Sequence, residues 1–142
     1  MKVILIEGEE NTGKSTLFRK ILKELVERSN VKDEYVQDFW GFYEIEGKKV
    51  ILNSFSDDSN IIEEFKEFYE KYKDKCDVLV TAIRPDDNNN KLREDMKKVY
   101  EQDKSEQEIV ITLKKIRKKD KIEQDKYLEE KYDEFLLEWN KI

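Results

Sequence analysis

The stretch Gly8-Glu9-Glu10-Asn11-Thr12-Gly13-Lys14-Ser15 decides the fold. Its spacing is G-x-x-x-x-G-K-[ST], and each residue type has a task. Gly8 and Gly13 let the backbone curl until several N–H groups converge on one point, which suits an anion. A helix starting at Lys14 adds its positive N-terminal end. Lys14 reaches β- and γ-phosphates as a point charge, and the Ser15 hydroxyl is placed to ligate Mg²⁺. One feature cuts across this logic: Glu7, Glu9 and Glu10 crowd the first half of a loop built for an anion.

The flanks suit the loop. Residues 2–7 are apolar and β-branched, a short buried strand that ends at Gly8. Residues 14–28 place Leu17, Ile21, Leu22, Leu25 and Val26 at helical spacing. Two strand-like runs follow, at about 35–45 and 49–55, joined by Glu46-Gly47-Lys48, which predicts an antiparallel hairpin. Asp57-Asp58-Ser59-Asn60 reads as a loop and helix cap before a helix over 60–73. Residues 77–83 form another buried strand, ended by Arg84-Pro85. A helix at about 90–103, a strand at 108–113 and a helix at about 121–140 complete the chain. Strands alternating with helices predict an α/β fold of three layers, a mostly parallel sheet of about five strands with one antiparallel hairpin and helices on both faces. Length and the absence of a linker predict one domain over residues 1–142.

The loop and its strand–helix context identify the chain as a P-loop NTPase by resemblance. Ile6-Glu7-Gly8-Glu9-Glu10-Asn11-Thr12-Gly13-Lys14-Ser15-Thr16 is similar to the loop of thymidylate kinases, E-G-x-[DE]-G-x-G-K-[ST]-T. That resemblance implies that Glu10 faces the sugar of a nucleotide acceptor. Asn11 stands where those loops carry glycine, and neither an Asp-Arg-[Tyr/Phe] motif nor an arginine-rich lid is found. The hairpin after the first helix resembles GTPase-type sheets, although no Asn-Lys-x-Asp guanine motif occurs.

Ligands of open α/β sheets sit at the carboxyl ends of the strands, which selects the remaining candidates. Asp57 and Asp58 follow the strand at 49–55 and are expected near Mg²⁺ with Ser15; Asp57-Asp58-Ser59 also reads as a plain helix cap. Arg84 follows the next strand, placed to pair with a γ-phosphate or an acceptor phosphate, or to stand as a surface arginine beside a turn. Asp38, in the hairpin segment, is a further candidate to meet an acceptor or a nucleophilic water. The run Lys114-Lys115-Ile116-Arg117-Lys118-Lys119-Asp120-Lys121 offers Arg117 to a base, or simply a solvated loop. The expected nucleotide contacts are Gly8, Glu10, Asn11, Thr12, Gly13, Lys14, Ser15, Thr16 and Arg117, with Lys14, Asp57 and Arg84 in catalytic roles.

Composition narrows the function. With 142 residues and no histidine, His-dependent triads and His-ligated zinc sites are excluded. One cysteine, Cys76, allows no internal disulfide and suggests a cytoplasmic home. A formal net charge of −6 disfavours general binding to nucleic acid or anionic membrane. The expected ligands are Mg²⁺ and ATP, ahead of GTP. The first functional reading is a kinase-like transfer of the γ-phosphoryl group to a small acceptor such as a nucleotide. The alternatives are a slow NTPase switch and a nucleotide-binding accessory protein.

Overall fold

The computed structural model describes residues 1–25, 38–85, 91–116 and 120–142. The elements are β1 (Lys2–Glu7), α1 (Lys14–Leu25), β2 (Trp40–Ile45), β3 (Lys48–Asn53), α2 (Ser59–Tyr72), a 3₁₀ turn (Lys73–Lys75), β4 (Val78–Ile83), α3 (Leu92–Tyr100), β5 (Ile109–Thr112) and α4 (Lys121–Asn140). The five strands form one sheet in the order β2-β3-β4-β1-β5. β1 runs parallel to β4 and β5, and β3 runs parallel to β4. β2 alone is antiparallel, paired with β3 from Trp40 opposite Asn53 to Ile45 opposite Lys48. The expected α/β fold with its mostly parallel sheet and single hairpin is present. The expected helix end at 26–28 and strand start at 35–37 lie outside the described residues.

The hairpin turn is made by Glu46 and Gly47, both with positive φ (52° and 81°). Two consecutive left-handed residues match the right-handed twist of the flanking strands, so a two-residue turn suffices.

Alternation along β1 builds two cores. Ile4 and Ile6 face α1 and α4, packing with Phe18, Ile21, Phe135 and Trp139. Val3 and Leu5 face α2 and α3, packing with Phe65, Tyr69, Met96 and Tyr100. Each fully buried side chain of this size contributes roughly 1.5–3 kcal/mol, so both layers hold the sheet firmly. β4 is buried along its whole length, as its mostly apolar sequence requires of a central parallel strand; its one polar side chain, Thr81, accepts from Asn53 at 3.0 Å.

Sheet order carries the functional consequence. β4 lies between β3 and β1, so the segment after β4 adjoins the glycine loop directly. Glu7 pairs with Ile83, and the Gly8 N–H donates to the Ile83 carbonyl at 3.1 Å. Because β2 is antiparallel, its N-terminal end lies on the same edge as the C-termini of the other four strands. Asp38, just before β2, therefore reaches the same edge as Asp57 after β3.

One buried ion cluster fastens α3 to the start of β5. Glu108, 4% exposed at its side chain, accepts from Lys97 at 3.1 Å and Lys104 at 2.6 Å. Burial would raise its carboxyl, but the two ammonium hydrogen bonds, with a backbone N–H and the Lys97 charge, together outweigh burial and hold it at about 2. The folded value lies below the ordinary 4.5, so the contribution is fully present above about pH 4.5 and is lost as pH falls toward about 2. Glu108→Gln is expected to lower stability at neutral pH by about 1–3 kcal/mol. Denaturant unfolding should show that difference shrinking as pH drops through the same window.

Candidate functional site

The loop between β1 and α1 adopts the conformation its residues require. Gly13 has φ 94° and Asn11 has φ 60°. Asparagine is one of the few side chains that tolerates the left-handed region, which explains how it stands where a related loop carries glycine. Gly8 is needed for a different reason. A Cβ there would lie 2.5 Å from Thr12 Oγ1 and 3.2 Å from the Leu113 carbonyl oxygen. The Thr12 hydroxyl donates to the Glu9 carbonyl at 2.7 Å, closing the loop on itself.

Lys14 is 5% exposed. Its ammonium donates to the Gly8 carbonyl and, at 2.9 Å, to the Glu9 carbonyl. Burial pushes it below the ordinary lysine range, and the Asp57 carboxylate, 3.9 Å away, counteracts that shift. The Ser15 hydroxyl donates to Asp38 Oδ1 at 2.5 Å. Asp38 is itself held in place. Ser54, at the end of β3, donates its hydroxyl to the same oxygen at 3.2 Å and accepts from the Phe39 N–H at 2.8 Å.

Arg84 stands between two carboxylates. Its Nε is 2.7 Å from Asp57 Oδ1, and its Nη2 is 3.6 Å from Glu10 Oε1. The Nε–H is not aligned for a hydrogen bond, so the contact is ionic. Arg93, on α3, pairs with Glu7 and donates to the Arg84 carbonyl at 3.1 Å, fixing the backbone that carries Arg84. A cleft of about 430 Å³ opens over these groups, lined by Glu10, Gly13, Lys14, Ser15, Thr16 and Asp57 among others.

The structure thus brings Lys14, Ser15, Asp57, Arg84 and Glu10 together. It does not bring Asp58 to the cleft: that carboxylate caps α2, accepting from the Asn60 N–H at 2.8 Å and the Ile61 N–H at 3.4 Å. Arg117 lies outside the described residues. Thr16 lines the cleft and accepts from Arg19 at 3.1 Å. Asp38, considered for an acceptor or a water, accepts from the Ser15 hydroxyl. The signal for that placement was the hairpin itself, because an antiparallel return puts residue 38 on the active edge. Arg93 had no local signal.

Among the described residues no group of three or more His, Cys, Asp or Glu side chains forms a metal cage. Mg²⁺ does not need one, since it is commonly held by one or two carboxylates together with substrate phosphates and water. The hard oxygens of Ser15 and Asp38 fit that pattern. No helix among the described residues is long and apolar enough to cross a membrane.

A glycine cradle at the end of a central parallel strand, a buried lysine and a helix-borne hydroxyl facing carboxylates define a P-loop NTPase. Residues 3–115 match the family described as 50S ribosome-binding GTPase, and the chain belongs to that family. No significant match is found among curated proteins or solved structures. The family match supports the P-loop superfamily. It lends no support to the thymidylate kinase resemblance, to a phosphate acceptor or to ATP over GTP.

The left-handed backbone at Asn11 makes a prediction about stability. Asn11→Ala is expected to cost about 1 kcal/mol, whereas Asn11→Gly should stay within about 0.5 kcal/mol of the parent. Thermal unfolding of the two variants side by side checks this.

Proposed function

We propose that the protein is a guanine-nucleotide-dependent NTP hydrolase working as a molecular switch. One observation carries the reading: the two ends of the β2–β3 hairpin meet the phosphate loop, Asp38 at Ser15 and Asp57 at Lys14. Nucleotide phosphates entering the cleft must rearrange both contacts. The hairpin is the element that would respond, as switch segments do when a γ-phosphate orders them. GTP is favoured over ATP because the matched family is one of GTPases.

The residues divide the work. Loop N–H groups and Lys14 hold the β- and γ-phosphates. Ser15 and Asp38 would hold Mg²⁺, which supplies charge neutralisation between the phosphates when bound. Arg84 is placed to exchange Asp57 and Glu10 for developing negative charge on the γ-phosphoryl group. With no histidine in the chain, the Asp57 carboxylate released by that exchange is the candidate to orient the attacking water. Water then displaces the nucleoside diphosphate, the bond from the γ-phosphorus to the bridging oxygen breaks, and inorganic phosphate leaves. Glu10, which the thymidylate kinase loop would turn toward an acceptor sugar, pairs with Arg84 at 3.6 Å. Ribosome binding belongs to the family's description. A formal net charge of −6 disfavours general long-range attraction of this chain to a phosphate-rich surface.

Mg²⁺–GTP is expected to raise the melting temperature by several degrees, and Lys14→Ala to abolish the rise. Phosphate release should proceed without any acceptor and fall at least about tenfold in Arg84→Ala. Nucleoside diphosphate formation that required an acceptor would sink the hydrolase reading.

The switch has its own reporter. Trp40, two residues after Asp38, lies edge-on to Phe55 at 5.1 Å, two residues before Asp57. Nucleotide binding is expected to change tryptophan emission in the parent and much less in Trp40→Phe, leaving the core residue Trp139 as the only tryptophan. An emission change that persists in Trp40→Phe would remove the hairpin from the mechanism.

A further inference from the structure

Ser54 and Ser56, just beyond β3, are 4% and 2% exposed, although serine is mostly a surface residue. Phe55 between them packs edge-on against Trp40. The segment is fixed to the sheet by Asn53, itself buried. Asn53 Nδ2 donates to the Phe55 carbonyl and to Thr81 Oγ1 of β4, each at 3.0 Å. Asn53 Oδ1 accepts from the Phe55 N–H at 3.0 Å. The two serines therefore start from a backbone tied to β4.

Each serine holds one carboxylate of the site. The Ser54 hydroxyl accepts from the Phe39 N–H at 2.8 Å, so its single hydrogen has two acceptors within reach, Asp38 Oδ1 at 3.2 Å and the Phe39 carbonyl at 3.3 Å. The Phe39 carbonyl already accepts from the Ser54 N–H at 2.9 Å, and an ionised acceptor makes the stronger bond, so the hydrogen goes to Asp38. Asp38 Oδ1 then receives two hydroxyls, from Ser54 and from Ser15. The Ser56 hydroxyl donates to Asp57 Oδ1 at 3.1 Å, the oxygen that Arg84 Nε also approaches. In both carboxylates Oδ1 is engaged, and Oδ2 has no partner among the described residues.

We propose that Ser54 and Ser56 are positioning residues with separate tasks. Ser54 makes Asp38 a one-oxygen ligand for Mg²⁺, and Ser56 aims Asp57 at the attacking water. The proposal rests on the hydrolase reading above and names the groups that direct its two carboxylates. Asp38 is exposed, so without these bonds its side chain would sample several rotamers. With two hydroxyls on Oδ1, one oxygen remains for a cation. Mg²⁺ suits single-oxygen ligands in a tight octahedron, whereas Ca²⁺ readily takes a carboxylate by both oxygens. Once Arg84 turns to the γ-phosphoryl group, Ser56 is the hydrogen-bond donor left on Asp57 Oδ1, and Oδ2 stays free to accept from water.

The test compares the full chain with Ser54→Ala and Ser56→Ala. Calorimetric titration with the β,γ-imido analogue of GTP is run in excess EDTA, in saturating Mg²⁺ and in saturating Ca²⁺, and phosphate release from Mg²⁺–GTP is followed beside it. Ser54→Ala is expected to cut the gain in affinity that Mg²⁺ gives over EDTA by about tenfold, with the affinity in EDTA unchanged. Ser56→Ala should leave both affinities unchanged and lower kcat by about tenfold at an unaltered KM. In the parent, Mg²⁺ should strengthen binding more than Ca²⁺ does; equal gains would overturn the one-oxygen role of Asp38 with no variant needed. If the two substitutions change both measurements alike, or change neither, the serines only pack and the proposal fails. Analogue binding without phosphate release in the parent would overturn the hydrolase reading and with it the task of Ser56. Binding under none of the three conditions would overturn the nucleotide-binding reading itself.

Discussion

The site depends on the backbone contact at Gly8. There β1 leaves the sheet while its neighbours hold it on both sides. The Gly8 N–H is bound to the Ile83 carbonyl of β4, and the Leu113 N–H after β5 is bound to the Glu7 carbonyl at 2.7 Å. The Leu113 carbonyl lies where a side chain on residue 8 would need room. A Cβ on that first residue would crowd the Thr12 hydroxyl and the Leu113 carbonyl, so the curl favours glycine there. The lysine, the helix end and the Ser15 hydroxyl take their positions from that curl. Two packed cores beneath it keep the three strands in register.

Seen from this contact, the acidic crowding of the loop has separate causes. Glu7 is the last residue of β1 and is paired with Arg93, so it braces the strand end and, through Arg93, the backbone at Arg84. Glu9 is exposed and contributes its carbonyl, which binds Lys14 and Thr12. Glu10 shares Arg84 with Asp57. Two of the three carboxylates are thus matched with arginines, and Glu9 and Glu10 also line the cleft. Their main effect is to keep an arginine poised beside the cleft.

The hairpin shows how a local rule becomes functional through pairing. Positive φ at Glu46 and Gly47 turns the chain in two residues, and antiparallel pairing returns Asp38 to the edge where Asp57 also lies. Both carboxylates then face the first turn of α1. A parallel β2 would have placed residue 38 at the far end of the sheet. The hairpin turn and the switch reading are thus connected by geometry.

Much of this was legible in the residues. G-x-x-x-x-G-K-S between an apolar strand and an amphipathic helix determines the loop, and alternating strand and helix patterns determine an α/β sheet, because period and turn chemistry are local properties. The residues put Asp57 only slightly ahead of Asp58 for the site, with the pair also readable as a cap, because two adjacent aspartates differ only in the directions their side chains take. Strand order was not legible either. β4 enters between β3 and β1 for reasons of packing between distant segments, and that placement sets Arg84 against the loop. The contacts of Arg84 with Asp57 and Glu10, of Arg93 with Glu7 and of Ser15 with Asp38 join residues from 23 to 86 positions apart. No periodicity spans such distances, so the loop belongs to the sequence and its company of charges to the tertiary structure.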